Sequence, residues 1–149
     1  MKRLSLYIVP VLVGLVFFGA TQTSAQKIMK KVTQAVEDIK WEPLKDAPPG
    51  VMTTIVRGEQ GKGGYEGFNK FPAGFKALLH SHTYATKIVV IKGGYTYNGK
   101  IYGPGSYLYI PGGDKHISGG VADSETIFFI EQPGPFDLNL AEQATAKKQ

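Results

Sequence analysis

The sequence predicts an all-β domain, built as a barrel or a sandwich. Two observations carry that expectation. From Val51 onward, short β-branched and aromatic runs follow one another at close spacing, and turn residues separate them. The 19 glycines and 9 prolines supply those turns, and only the stretch before Trp41 spaces its apolar residues as a helix does.

Gln26 to Lys40 is polar, with Ile28, Val32, Val36 and Ile39 near helical spacing, which suits a short helix or an arm docked on the domain. Trp41-Glu42-Pro43-Leu44 then leads into the turn-rich Asp46-Ala47-Pro48-Pro49-Gly50. Val51 to Arg57 is a β-branched strand ended by Gly58 to Gly64, and Glu66 to Phe71 is a looser strand ended by Pro72-Ala73-Gly74. Phe75 to His82 alternates so that Lys76, Leu78, His80 and His82 share one face. Ile88-Val89-Val90-Ile91 is a continuous apolar run, suited to a strand covered on both sides. Tyr95-Thr96-Tyr97, Asn98-Gly99 and Lys100-Ile101-Tyr102 predict a hairpin, because Asn-Gly adopts the positive φ angles of a type I′ turn. Tyr107 to Ile110 and Thr126 to Ile130 are the remaining strands, and Ala141 to Gln149 reads as a frayed tail. Phe68, Phe71, Phe75, Phe128 and Phe129 are candidates for the core.

The first 25 residues carry the marks of a secretory signal: a basic start at Lys2-Arg3, an apolar Leu4–Ala20 run and small Thr23-Ser24-Ala25 before Gln26. That run is shorter than the about 20 apolar residues of a membrane span. An exported protein, periplasmic or extracellular and free of the membrane once the signal is removed, is expected. Removing 25 of the 149 residues leaves 124, one domain able to bury a core without staples. The expected division is signal 1–25, arm 26–40, barrel 41–138 and tail 139–149. There is no cysteine, hence no disulfide framework and no thiolate metal site. Losing Lys2 and Arg3 lowers the formal charge from +5 to +3, and no basic stripe interleaves with aromatics, which argues against nucleic acid.

All three histidines of the chain fall in one two-part pattern. Gly74, five residues and His80-Ser81-His82 form its first half; Gly105, five residues and Pro111-Gly112-Gly113-Asp114-Lys115-His116 form its second. A strand's period of two sets His80 and His82 side by side, and imidazole is the commonest protein ligand for transition metals. A three-His site for one divalent metal (zinc, manganese, iron, nickel or copper) follows, with open positions for water, oxygen or a chelating substrate. Three neutral ligands leave the ion its full charge, which favours an anionic substrate.

At these residues the chain resembles the cupins. Gly74, His80, His82 and Gly93 or Gly94 match their first motif, G-x5-H-x-H-x(3,4)-E-x6-G; Gly105, Pro111, Gly113 and His116 match the second, G-x5-P-x-G-x2-H-x3-N. Gly134-Pro135-Phe136-Asp137 is similar to the close of a small-cupin subgroup of largely unassigned function. The resemblance spans about Trp41 to Leu138. It implies a cupin-type conical jelly-roll β-barrel, a metal on His80, His82 and His116, and pairing of barrels into a homodimer. Two positions depart from the pattern: Thr86 or Lys87 stands where the family has glutamate, and Gly120 replaces its last asparagine. Thr86 is the better inward residue, since a lysine beside a cation is unfavourable, and its hydroxyl suits a hydrogen bond to metal-bound water. Tyr84 and Tyr109 are further candidates to meet a substrate, and Glu59, Glu66, Glu125 and Glu131 are distant carboxylates among which the sequence does not choose.

Three functions fit these residues. One is a metal-dependent enzyme, either an oxygenase (a dioxygenase in its leading form) acting on a chelating small molecule, or an isomerase or lyase acting on a sugar or keto acid. The second is a non-catalytic module that captures a small ligand or metal, which the missing glutamate favours. The third, a partner-binding domain, rests only on the N-terminal arm. The signal sequence yields the first prediction. N-terminal sequencing of the exported protein should begin at Gln26, and recovery of Met1 or Lys2 refutes a cleaved signal.

Overall fold

A computed structural model describes residues 31–141. Its strands are β1 (Glu42–Pro43), β2 (Met52–Gly58), β3 (Tyr65–Phe71), β4 (His80–Ser81), β5 (Thr86–Lys92), β6 (Tyr95–Tyr97), β7 (Lys100–Tyr102), β8 (Tyr107–Ile110), β9 (Ser118–Gly120), β10 (Thr126–Gln132) and β11 (Asn139–Leu140). Six of them form one antiparallel sheet in the order β1-β2-β3-β10-β5-β8. The other wall is built from β7-β6-β9 and β11-β4, joined by bridges between Lys76 and Gly119 and between His80 and His116. The architecture is an all-β jelly-roll barrel.

Alternation decides which residues fill it. β3 buries Tyr65, Gly67, Asn69 and Phe71, while β10 buries Thr126, Phe128, Ile130 and Gln132. β5 buries Thr86, Ile88 and Val90, and β8 buries Leu108 and Ile110. Across the interior, Phe71 meets Phe128 at 4.9 Å, Phe75 at 4.6 Å and Tyr95 of the opposite wall at 5.9 Å between ring centroids. Burying one such phenylalanine is worth about 1.5–3 kcal/mol, so this cluster is a principal tie between the walls.

The Asn98-Gly99 turn is formed as the sequence predicts, with φ of 47° and 83°, and it joins β6 to β7. Several expectations need correction. Phe75 to His82 is not one alternating strand: Leu78 and Leu79 both point out, 59% and 41% exposed, while Ala77 and His80 point in. Ile88-Val89-Val90-Ile91 is covered on one face only, with Ile91 47% exposed, because nothing among the described residues packs on the outside of β5 there. Phe68 and Phe129 lie on that outer face, edge-on to each other at 5.8 Å, since their parity in β3 and β10 is opposite to that of Phe71 and Phe128. Within residues 31–40 the only helical turn is Val36–Asp38, and Val32 and Val36 are both exposed, so neither valine is docked on the domain, whereas Ile39 is half-buried. The signal segment, residues 26–30 of the arm and residues 142–149 of the tail lie outside the described residues. Regular pairing continues past Leu138, because β11 pairs with β4.

β9 gave no strand signal, because two of its three residues are glycines. Close approach requires one of them: a Cβ on Gly119 would stand 2.4 Å from the Phe75 carbonyl oxygen. Gly119→Ala should therefore destabilise the domain by about 2 kcal/mol or more in urea denaturation. Gly61→Ala, where a Cβ meets nothing within 4 Å, should change stability by less than about 0.5 kcal/mol. Equal effects would show that the Gly119 seam is not a tight contact.

Candidate metal centre

His80 and His116 are joined by a reciprocal backbone pair: the His80 N–H donates to the His116 carbonyl at 3.0 Å, and the His116 N–H donates to the His80 carbonyl at 2.8 Å. Residues paired this way in an antiparallel ladder project to the same side. His82, two residues along from His80, joins them there. Ring centroids are 4.3 Å apart for His80–His116, 5.0 Å for His80–His82 and 5.6 Å for His82–His116. One ring nitrogen from each lies within 4.8 Å of the others.

A bulge sets this up. Between the Lys76–Gly119 and His80–His116 bridges one chain advances four residues and the other three, so an extra residue is absorbed at Leu78-Leu79. The bulge turns both leucines outward. It also presents the Leu78 carbonyl to the His80 ring, whose Nδ1–H donates to it at 2.7 Å. His82 Nδ1 makes the same bond to the Asp137 carbonyl at 2.5 Å, and His116 Nδ1 to the Asp114 carbonyl at 3.1 Å. A carbonyl only accepts, so each Nδ1 carries a proton, and in the neutral ring Nε2 keeps its lone pair. Three imidazoles oriented by carbonyls, with one ring nitrogen of each within 4.8 Å of the others, fit a divalent transition metal. Burial pushes the His80 imidazole down to about 4, with the neighbouring His116 and His82 adding to it against the Leu78 carbonyl. Burial lowers His116 as well. Both rings therefore stay neutral and able to ligate at physiological pH.

Around the rings, two acidic residues act as braces. The Asp137 carboxylate accepts the Thr83 N–H at 3.0 Å, the Thr83 hydroxyl and the Asn139 amide at 2.8 Å. Burial works to raise this carboxyl, but those hydrogen bonds and nearby His82 outweigh it and hold it below its ordinary value. The clasp fixes the backbone whose carbonyl holds His82, and Phe136 packs on that ring at 5.7 Å. On the other side, the Tyr97 hydroxyl donates to the Asp114 carboxylate, and its ring lies 5.2 Å from His116. Burial, then the bond to Asp114, pushes the Tyr97 phenol up to about 12.

The rings open on a cavity with about 50 Å³ available to the centres of water-sized groups. At roughly 10–15 Å³ per such group, that admits a ligand of a few heavy atoms. Its walls are mainly apolar, including Phe71, Ile88, Phe128 and Phe136, with Thr86, Asn69 and Ser118 as polar points. Among the described residues that line it there is no carboxylate, lysine or arginine. Thr86 points in, 3% exposed, whereas Lys87 points out and pairs with Glu131 at 2.8 Å.

The structure thus gathers His80, His82, His116 and Thr86. Tyr84 and Tyr109 lie away from the cavity: Tyr109 is 58% exposed on β8, with parity opposite to Leu108 and Ile110, and the Tyr84 ring covers Gly134. The four glutamates are also elsewhere, Glu59 beside Lys62, Glu66 beside Arg57, Glu125 beside Lys92 and Glu131 beside Lys87. Asp114, Asp137, Tyr97 and Phe136 escaped the sequence analysis as site residues. The adjacency of Asp114 to the second motif and of Asp137 to the closing Gly-Pro-Phe-Asp run were the available signals.

A jelly roll with three histidines converging inside one end defines a cupin. The chain belongs to the ChrR cupin-like domain family, whose model matches residues 29–135. Solved structures agree on the fold. The polyketide cyclase RemF from Streptomyces resistomycificus is 16% identical with a TM-score of 0.63, over 79% of this chain and 89% of that one. An RmlC-like cupin from Ralstonia eutropha JMP134 is 20% identical with a TM-score of 0.60, over 71% and 70%. An acetylacetone dioxygenase from Acinetobacter johnsonii is 18% identical with a TM-score of 0.59, over 77% and 79%. No curated protein matches the sequence.

The depressed His80 value fixes the sign of a pH effect. Unfolded, the imidazole titrates near 6.5; folded, near 4, so the folded chain binds fewer protons between these values. Its contribution is present above about pH 6.5 and is lost as pH falls toward 4. Urea denaturation of metal-free protein should show stability declining from pH 6.5 to 5, above the range where carboxylates titrate. His80→Gln should shallow the slope. A flat profile over that interval contradicts a buried neutral His80.

Proposed function

We propose that the protein is an exported, metal-dependent oxygenase of dioxygenase type. Its substrate is a small molecule with two neighbouring oxygen donors on an apolar body. His80, His82 and His116 hold the metal. The observation that carries this reading is the cavity lining: three ligating imidazoles and no acid or base beside them. Isomerases and lyases that move protons need a positioned general acid or base, and the described lining offers none in a suitable range. Oxygenase chemistry asks less of the side chains. When bound, the metal supplies Lewis acidity and, where it is redox-active, electron exchange with dioxygen. The chain's own residues hold and orient the ligands, exclude water with Phe128, Phe136 and Ile88, and shape the space for substrate. The shared fold of the acetylacetone dioxygenase is consistent with this chemistry.

The same lining favours one other reading, a non-catalytic module that captures a small chelating ligand, since nothing in the walls beyond the histidines is reactive. Metal analysis of protein purified without added metal, followed by oxygen uptake with small diketones and hydroxyketones, separates the two. The oxygenase reading expects iron, manganese, nickel or copper near one per chain and substrate-dependent oxygen uptake. Tight binding of these compounds without uptake favours the module. His82→Ala should weaken metal binding by more than about 100-fold while the fold persists, because even the groups that orient metal ligands are worth 10–100-fold. If His82→Ala binds these metals as tightly as the unmodified protein, the three-His site is wrong.

A further inference from the structure

One polar atom in the cavity is unexplained by the fold. The Thr86 Oγ1 is fully buried and has no hydrogen-bond partner among the described residues, although Thr86 is only 3% exposed and lines the same cavity as the three histidines. Leaving a buried hydroxyl unpaired is unfavourable by about 1–3 kcal/mol, and valine would fill the same volume without that penalty. Its nearest neighbours on the sheet are apolar: β5 sets Thr86 opposite Ile110, and Ile88 follows on the same face. Thr86 thus brings an unpaired donor to the wall of the cavity that the three histidines also line.

Resting on the metal-site reading above, we propose that Thr86 is a specificity-determining residue that donates its hydroxyl proton to an anionic oxygen of the substrate. The ligand class is a small monoanionic oxygen chelate, such as an enolate or a hydroxamate. Charge balance points the same way. Three neutral imidazoles leave a divalent ion with its full charge, and the described lining contains no carboxylate to offset it and no cation to compete for an anion. A hydroxyl at position 86 adds a donor aimed at negative charge, which makes a charge-assisted hydrogen bond. A glutamate there would be a metal ligand and would repel an anionic chelate.

The experiment uses the full chain loaded with zinc, which binds without turnover, and acetohydroxamate, a chelate of five heavy atoms suited to the space available. Calorimetry should show that Thr86→Val keeps the zinc affinity of the unmodified protein but binds acetohydroxamate about tenfold more weakly, and that Thr86→Ser restores it. Thr86→Glu should bind zinc more tightly and the hydroxamate more weakly. Without metal, Thr86→Val should melt about 4 °C or more above the unmodified protein, because the unpaired hydroxyl is gone. A Thr86→Val protein that binds acetohydroxamate as well as the unmodified one, or that does not gain thermal stability, overturns the proposal. Absence of hydroxamate binding to the unmodified zinc protein overturns it too, while leaving the metal site intact. Failure of the unmodified protein to bind zinc removes the metal site itself, and this proposal with it.

Discussion

The reciprocal backbone pair between His80 and His116 is the constraint on which the site depends. It is a single bridge outside any longer ladder, yet it binds the segment from Phe75 to His82 to the segment that leads into β9. Through it, two side chains 36 positions apart in sequence share one side of the wall, and His82 follows by strand parity. Were the His80–His82 segment shifted by one residue against its partner, His80 and His82 would turn away from His116. The bulge at Leu78-Leu79 is the price of that register, and it also supplies the carbonyl that orients His80.

Orientation by carbonyls rather than carboxylates gives the centre its electrostatic character. Each ring's Nδ1 bonds a main-chain oxygen, although the carboxylates of Asp114 and Asp137 stand 3.8 and 3.9 Å from the Nδ1 atoms of His116 and His82. Asp114 and Asp137 offer main-chain oxygens to the rings, while their carboxylates are bonded to Tyr97 in one case and to Thr83 and Asn139 in the other. The cavity beyond is apolar, so an ion there would interact strongly with whatever oxygen donors enter. Thr86 stands at the position where a carboxylate would have damped that field.

Much of this was legible in the sequence because it is local. Gly-Pro punctuation and β-branched runs mark β2, β5, β8 and β10, Asn98-Gly99 dictates its own turn, and the histidine spacings carry the site. What could not be read was set by distant partners. Period two over Phe75 to His82 placed Leu78 with His80, but the opposite chain lacks a residue to match, and only pairing reveals the bulge. Phe68 and Phe129 are as hydrophobic as Phe71 and Phe128, and only parity within paired strands sends them outward. β9 hides because glycine is a poor strand former, although close approach to Phe75 demands it. Tyr84 and Tyr109 sit near the motifs along the chain yet away from the cavity in space, whereas Asp137 lies 55 residues from His82 and holds its ring.

The segment from Phe136 to Leu140 fixes the order in which the centre can mature. A nascent chain that has emerged through β10 already contains every strand of the six-stranded sheet, together with His80, His82 and His116. It still lacks the carbonyl and the aromatic ring that steady His82, and the strand that pairs with β4. Until that strap is added, the His82 ring lacks both its Nδ1 partner and the aromatic ring packed on it, although the His82 carbonyl already accepts from the Gly113 N–H at 2.8 Å. His82 is thus the last of the three rings to gain its support, since the carbonyls that hold His80 and His116, those of Leu78 and Asp114, precede β10 in the chain.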